Sequence, residues 1–137
     1  MGLLAWFQFH IWNPIGTVSA CIKAWDPGTH PKPKEAYRSL ARYLKAHLSG
    51  VLMASHHAVE NTRVDILVGS FRKVAVILHH DLDTPEKSQA LVAQINVIKH
   101  HFHAILVVLY GTHQPDRVEE IKNQGEDLDI EFEVIEK

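Results

Sequence analysis

The residue in this chain that most needs a chemical explanation is Asp65. It stands between Val64 and Ile66-Leu67-Val68, in a run that reads as a strand, where a carboxylate is disfavoured and costly to bury without a partner. Two-residue periodicity predicts its side chain on the face opposite Val64, Ile66 and Val68. Two readings fit: a salt bridge to Arg63 or to an arginine of the preceding helix, or a metal ligand or catalytic acid at the sheet edge. The second candidate chemistry belongs to the 11 histidines, which cluster as His56-His57, His79-His80, and His100-His101 with His103. Imidazoles from separate strands suit Zn²⁺, Ni²⁺ or Cu²⁺. Neighbours on one strand face opposite ways, so only one of each pair can join a given site. No HExxH spacing occurs. Solvated histidine, transition-metal binding and pH sensing therefore all stay open.

Other chemistries lack their residues. The 7 glycines are scattered, with no GxGxxG or GxxxxGK[ST] loop to cradle phosphates, and no serine lies in a GxSxG turn. Cys21 is the only cysteine, which excludes an internal disulfide and CxxC zinc sites; between Ala20 and Ile22 it reads as a packed thiol.

The elements that must position these residues follow from pattern. Pro31 and Pro33 lead into a helix from Lys34 to Leu48, stopped by Gly50, with Tyr37, Leu40, Ala41, Leu44 and Leu48 as its apolar stripe. Arg38, Arg42 and Lys45 lie opposite, as a solvated face or a contact to phosphate. Strands are predicted over Val51 to Val59, Arg63 to Val68 and Lys73 to His79, joined by turns short enough to make an antiparallel meander. Thr84-Pro85-Glu86 opens a second helix, running to about His101, through N-cap hydroxyl, proline and dipole-matched acid. Ala104 to Leu109 reads as a strand buried on both faces, Asp116 to Gln124 as a helix stopped by Gly125, and Ile130 to Ile135 as an edge strand. The crossover helix makes the third and fourth strands parallel. The predicted fold is α/β: a mixed sheet, antiparallel meander plus parallel strand, flanked by helices in three layers.

At this point the chain resembles the PD-(D/E)xK nuclease superfamily, within it the restriction-endonuclease-like and archaeal Holliday-junction-resolvase-like proteins. The resemblance rests on the order of elements, the Asp65-Ile66-Leu67-Val68 strand, the Val74-Ala75-Val76 strand after a short turn, and a following helix carrying Gln94. It spans Lys34 to Ile135 and implies a metal-dependent DNA endonuclease. Asp65 then matches the metal-binding aspartate, with Glu35 as the carboxylate from the first helix, Mg²⁺ or Mn²⁺ as the ion, and Gln94 supporting the site. Where the motif has Glu-x-Lys, this chain has Ile77-Leu78-His79, so His79 is the candidate proton acceptor and one carboxylate is missing. Glu60, Asp81 and His80 are the substitutes within reach. The expectation is a weakened or inactive centre. The alternative is a non-catalytic homo-oligomeric scaffold on the same fold, natural or engineered, holding Zn²⁺ or Ni²⁺ through its histidines.

Composition bounds these readings. The 137 residues carry 14 Lys plus Arg against 16 Asp plus Glu, so there is no global attraction to phosphate and DNA must be held locally. One domain over 1–137 is expected, burying roughly two thirds of its unfolded surface. Residues 1–28 hold all 3 tryptophans and the run Leu3 to Trp12, without a basic leader or enough unbroken apolar length for a span. Ile15 to Trp25 is strand-like or helical. This aromatic segment is expected to cover the core or to join a second copy, in a cytoplasmic protein without a membrane partner.

Overall fold

The computed structural model describes residues 14–48, 50–69 and 72–137. The run from Leu3 to Trp12, most of the expected oligomer contact, lies outside the described residues. Ile15 to Trp25 resolves as helix: α1 is Pro14–Ala24. Trp25, 2% exposed, follows it and donates from Nε1 to Ser39 Oγ at 3.0 Å, tying α1 to α2, Pro33–His47. Three strands come next, β1 Met53–Val59, β2 Thr62–Val68 and β3 Val74–His80. Then α3 is Pro85–Ile98, β4 Ala104–Tyr110, α4 Pro115–Glu126 and β5 Glu131–Glu136.

The five strands form one sheet in the order β1-β2-β3-β4-β5. The first three pair antiparallel, and β3, β4 and β5 pair parallel. Two apolar clusters sandwich this sheet. Val18 and Ile22 of α1 and Ala36, Leu40 and Leu44 of α2 pack on one face, against Ile66, Val68, Val74, Val76, Leu106 and Val108. Leu91, Ile95 and Ile98 of α3 and Val118 and Ile121 of α4 close the other, against Ala75, Ile77, Ile105, Val107 and Leu109. Every residue of β4 is buried, as its unbroken apolar run requires between two helical layers. Each fully buried leucine or isoleucine contributes roughly 1.5–3 kcal/mol of transfer free energy. Thr84 Oγ1 accepts the Lys87 N–H at 3.2 Å, the expected N-cap of α3.

Strand ends shift by one or two residues from the sequence pattern, and two helix ends depart from it for a physical reason. Helix α3 stops at Ile98, three residues short of His101, and Lys99 caps it. Gly125 does not stop α4 but is buried inside it, because the Phe132 ring lies where a Cβ would be. The local C-terminal signal of glycine yields to close packing of helix on strand. No described helix is long and apolar enough to cross a membrane.

Candidate functional site

The strand alternation breaks at Asp65. Ser55 pairs with Ile66 and His57 with Val64, but no pairing joins His56 to Asp65 between them, and His56 has a φ of 52°. The β2–β3 ladder also ends there, its last pair being Ile66 with Val76. The Asp65 carboxylate takes over: Oδ2 accepts the Leu78 N–H at 2.8 Å, supplying the acceptor that the interrupted ladder lacks. Val64 accordingly packs with the α3/α4 cluster while Ile66 and Val68 pack with α1/α2. Asp65 opens to the α2 side, sharing a layer with Ile66 and Val68 rather than lying opposite them. The expected orientation assumed an unbroken strand, and the break overturns it.

The pocket around Asp65 holds about 520 Å³ and is lined by Lys34, Tyr37 and Arg38 of α2, His56 and Arg63 of the hairpin, and Leu78 and Tyr110. Burial pushes the Asp65 carboxyl up, opposed by the Leu78 N–H and by the charges of Arg63 and His56. Burial also pushes the Tyr110 phenol up to about 12, with Asp65 and Asp81 adding to it. The His56 ring lies 4.5 Å from that of Tyr37. Among the described residues no ion pair reaches Asp65; its hydrogen bond goes to backbone instead of to Arg63 or an α2 arginine.

The other sequence candidates lie elsewhere. Glu35 Oε2 accepts the Lys32 N–H at 3.4 Å in the first turn of α2. Gln94 Nε2 donates to the Arg63 carbonyl at 2.8 Å, from α3 on the far face of the sheet. Ile77, 1% exposed, belongs to the α3/α4 cluster, and His79 shares its parity. Burial holds the His79 imidazole below its usual range, with Lys87 and His80 adding to the effect, and its Nδ1 is buried with no hydrogen-bond partner. Glu60 Oε2 lies 3.1 Å from His101 Nε2, and Asp81 Oδ1 accepts the Thr112 N–H at 2.7 Å. Asp65 is thus parted from His79 and Gln94 by the sheet itself. On β3 its face is shared by Val74, Val76 and Leu78, packed toward α2, and by His80, whose ring lies 4.8 Å from that of Tyr110.

The donor set around Asp65 does not fit a hard divalent cation. One carboxylate sits among Lys34, Arg38 and Arg63, whereas Mg²⁺ or Mn²⁺ takes about six oxygen-rich ligands. Among the described residues no group of three or more His, Cys, Asp or Glu side chains could hold a metal. For the histidine pairs the reason is geometric: His56 meets Tyr37, and His57 meets Phe102 with ring centroids 6.2 Å apart, while β2 runs between them and β3. What sequence reasoning missed is the cationic lining. Arg38 was visible in the basic row of α2; Lys34 extends that row one turn earlier, and Arg63 joins it only through the fold. Cys21 is half-buried against the α1/α2 cluster, and burial raises its thiol, as a packed cysteine requires.

No family model and no curated protein matches this sequence. Among solved structures, the chain is similar to the crystal structure of a repair endonuclease from Pyrococcus abyssi, with 12% sequence identity and a TM-score of 0.49, over 80% of this chain and 50% of that one. The chain spans about half the length of that protein.

Proposed function

We propose that this chain binds the sugar-phosphate backbone of DNA along α2 and the adjoining β1–β2 hairpin, and does not hydrolyse it. The observation that carries this reading is the cationic row of α2 set over two hollows. Lys34 and Arg38 line the Asp65 pocket, and Arg42 and Lys45 line a second one of about 300 Å³ against Met53, Ser55 and Ile66. Residues four apart on a helix rise about 6 Å, so the row presents cations at regular intervals to an extended polyanion. A chain with a formal net charge of −2 has to hold a polyanion through such a local field. Arg63 from β2 widens the track.

The resemblance to PD-(D/E)xK nucleases supports DNA as the ligand, and the residues sharing the Asp65 face support the loss of cleavage. That face offers Leu78 and His80 where an acid and a lysine would be needed. The carboxylate of Asp65, tied to Leu78 N–H, then serves to hold β2 and β3 together rather than to hold a metal.

The experiment is a fluorescence-anisotropy titration of duplex DNA between about 50 and about 200 mM salt, where each phosphate contact adds roughly −0.9 to the slope of log affinity against log salt. Arg38→Ala with Arg42→Ala is expected to weaken binding at least tenfold and to flatten that slope by about 2, near 1 per lost contact. Lys122→Ala on α4, across the sheet, is expected to change nothing. Equal loss from both variants would refute the α2 track, and metal-dependent nicking of supercoiled DNA by the unmodified chain would refute the non-hydrolytic reading.

A further inference from the structure

A separate cavity of about 1010 Å³ lies at the carboxyl ends of β3 and β4, bounded by the segment after α1. Open α/β sheets place ligands outside the carboxyl ends of their strands, and here the lining specifies what fits. Its cations are Lys23, Lys32 and Lys137, and its carboxylates are Asp26 and Asp81. Both carboxylates are already given to backbone: Asp26 Oδ1 accepts the Gly28 N–H at 2.9 Å and Asp81 Oδ1 accepts the Thr112 N–H at 2.7 Å. Two of the ammonium groups are held at the rim, Lys23 by Glu133 at 3.0 Å and Lys137 by the Lys23 carbonyl at 2.8 Å.

The floor is a built pair. His80 Nδ1 lies 3.4 Å from Asp81 Oδ2, so with Nδ1–H turned to the carboxylate, Nε2 is the ring atom left for a ligand, accepting from the P–OH of a phosphate monoanion or, as imidazolium, donating to a phosphate oxygen. Asp81 adopts a φ of 54°, unusual for a residue other than glycine, and its amide donates to the Tyr110 carbonyl at 3.1 Å. Gly111, with φ 76°, passes directly beneath: a Cβ there would collide with Asp81 Oδ1 and lie 3.0 Å from His80 Nε2. Bare backbone at this position is what lets the imidazole and carboxylate sit where they do.

We propose that this cavity binds a phosphate monoester, seated on His80 and neutralised by the surrounding lysines. Such a group carries about −1.5 to −2 charge at neutral pH and three strong acceptor oxygens, which matches a concave site lined by Lys32 and Lys137, neither in an ion pair among the described residues. Two sources share this chemistry: a free mononucleotide, and the phosphorylated end of a nucleic-acid strand. The second fits in space because Pro33, at the start of α2 and its cationic row, borders both this cavity and the Asp65 pocket. The site itself does not depend on DNA binding along α2.

The test is a two-dimensional amide NMR titration of the full chain with deoxyadenosine monophosphate, deoxyadenosine, and a short oligonucleotide with or without a 5′-phosphate. The monophosphate, the phosphorylated strand or both are expected to shift the Gly111 and Thr112 amides, while deoxyadenosine leaves them in place. A response to the mononucleotide alone assigns a free ligand, and a gain confined to the phosphorylated strand assigns a strand terminus. His80→Ala, at a partly exposed position, is expected to weaken either interaction about tenfold, with Lys122→Ala as the unaffected control. The proposal is overturned if no phosphorylated probe moves those amides, or if His80→Ala binds as the unmodified chain does. Binding by a hydroxyl-ended oligonucleotide reports separately on the α2 track.

Discussion

The two faces of the sheet are made by the same strands, yet the edges of their helical cover differ in charge: the hollow of about 460 Å³ beside α4 is lined by Lys122, Glu126 and Glu133 together, whereas those beside α2 are lined by cations with Asp65 alone among them. On the α3/α4 side the apolar cluster runs from Val59 to Ile121, and several polar groups near it pair with one another, Ser88 with Glu120, Glu120 with Arg117 and Gln124 with Asn96 at 3.0 Å, while His79 Nδ1 and Arg117 Nε stay buried without a partner. On the α1/α2 side the cluster is as dry at its centre, but α2 overhangs the hairpin, and its charged flank borders open pockets. The difference teaches that a candidate site here is placed by where helical cover ends. Strand parity then decides which side chains can reach it. His79 and His80 are consecutive, and only the second faces the pockets.

The largest expected effect tests that parity directly. Ile77→Glu puts a carboxylate into the sealed α3/α4 cluster and is expected to cost more than about 4 kcal/mol, enough to unfold a marginal domain. Leu78→Glu, at a half-buried position on the α2 side, is expected to cost only about 1–2 kcal/mol, the ordinary range for a single substitution. Urea unfolding followed by circular dichroism separates the two, and similar losses would mean that the faces do not differ as described.

A gain-of-function pair sharpens the same contrast. Leu78→Glu with His80→Lys adds an acid and a lysine on the face of Asp65, completing the donor set that the native pocket lacks. This double variant is expected to nick supercoiled DNA in Mg²⁺ at least about a hundredfold above the unmodified chain, the lower end of what one catalytic group supplies. Ile77→Glu with His79→Lys places the same residue types behind the sheet and is expected to give no cutting. Nicking by the second pair but not the first would reverse the assignment of faces.

A smaller effect follows from burial of Asp65. Its carboxyl is raised above 3.8 chiefly by desolvation, so the ionised form is the one the fold disfavours. The associated stability is fully present below 3.8 and is lost as pH rises through the folded value. Asp65→Asn cannot ionise and keeps an acceptor for the Leu78 N–H. It is expected to equal the unmodified chain in acid and to exceed it by about 1 kcal/mol near neutrality, the scale of one buried polar interaction. A variant less stable than the unmodified chain at neutral pH would show that the charge itself is needed.

Much of this architecture is legible in the sequence because it rests on local signals. The 3.6-residue stripe of α2, the proline-led starts of α2 and α3, the short hairpin turn and the unbroken apolar run of β4 fix the element order, and the crossover fixes the parallel pair. The failures come from tertiary causes. Gly125 carries the mark of a helix end, and only the Phe132 ring explains why it lies inside α4. Asp65 obeys strict alternation until one cross-strand pair is skipped, which no periodicity can announce. The pocket draws Arg38 from α2, His56 and Arg63 from the hairpin, Leu78 from β3 and Tyr110 from β4. Such residues share no spacing. The motif alignment led to Ile77 and His79 because sequence supplies order along a strand without showing where a break changes the face.

The smallest effect belongs to the other side of the comparison. His79, behind the sheet, has an imidazole lowered from 6.5, first by burial and then by the charges of Lys87 and His80, against the weaker pull of the Asp81 and Asp83 carboxylates. A base whose folded value is depressed contributes stability that is present above its unfolded value and is lost as pH falls through the folded one. Below 6.5 the unfolded chain takes a proton that the folded chain resists, so the unmodified protein should weaken from there downward. His79→Gln cannot bind that proton. It is expected to lose about 0.5–1 kcal/mol at pH 8 through altered packing, and to show a flatter stability profile as pH falls from 6.5. The carboxylates titrate in both proteins, so the difference between the two curves isolates the imidazole. Should the His79→Gln profile fall as steeply as that of the unmodified chain, the imidazole would not be sealed behind the sheet, and the separation of the faces at the end of β3 would fail.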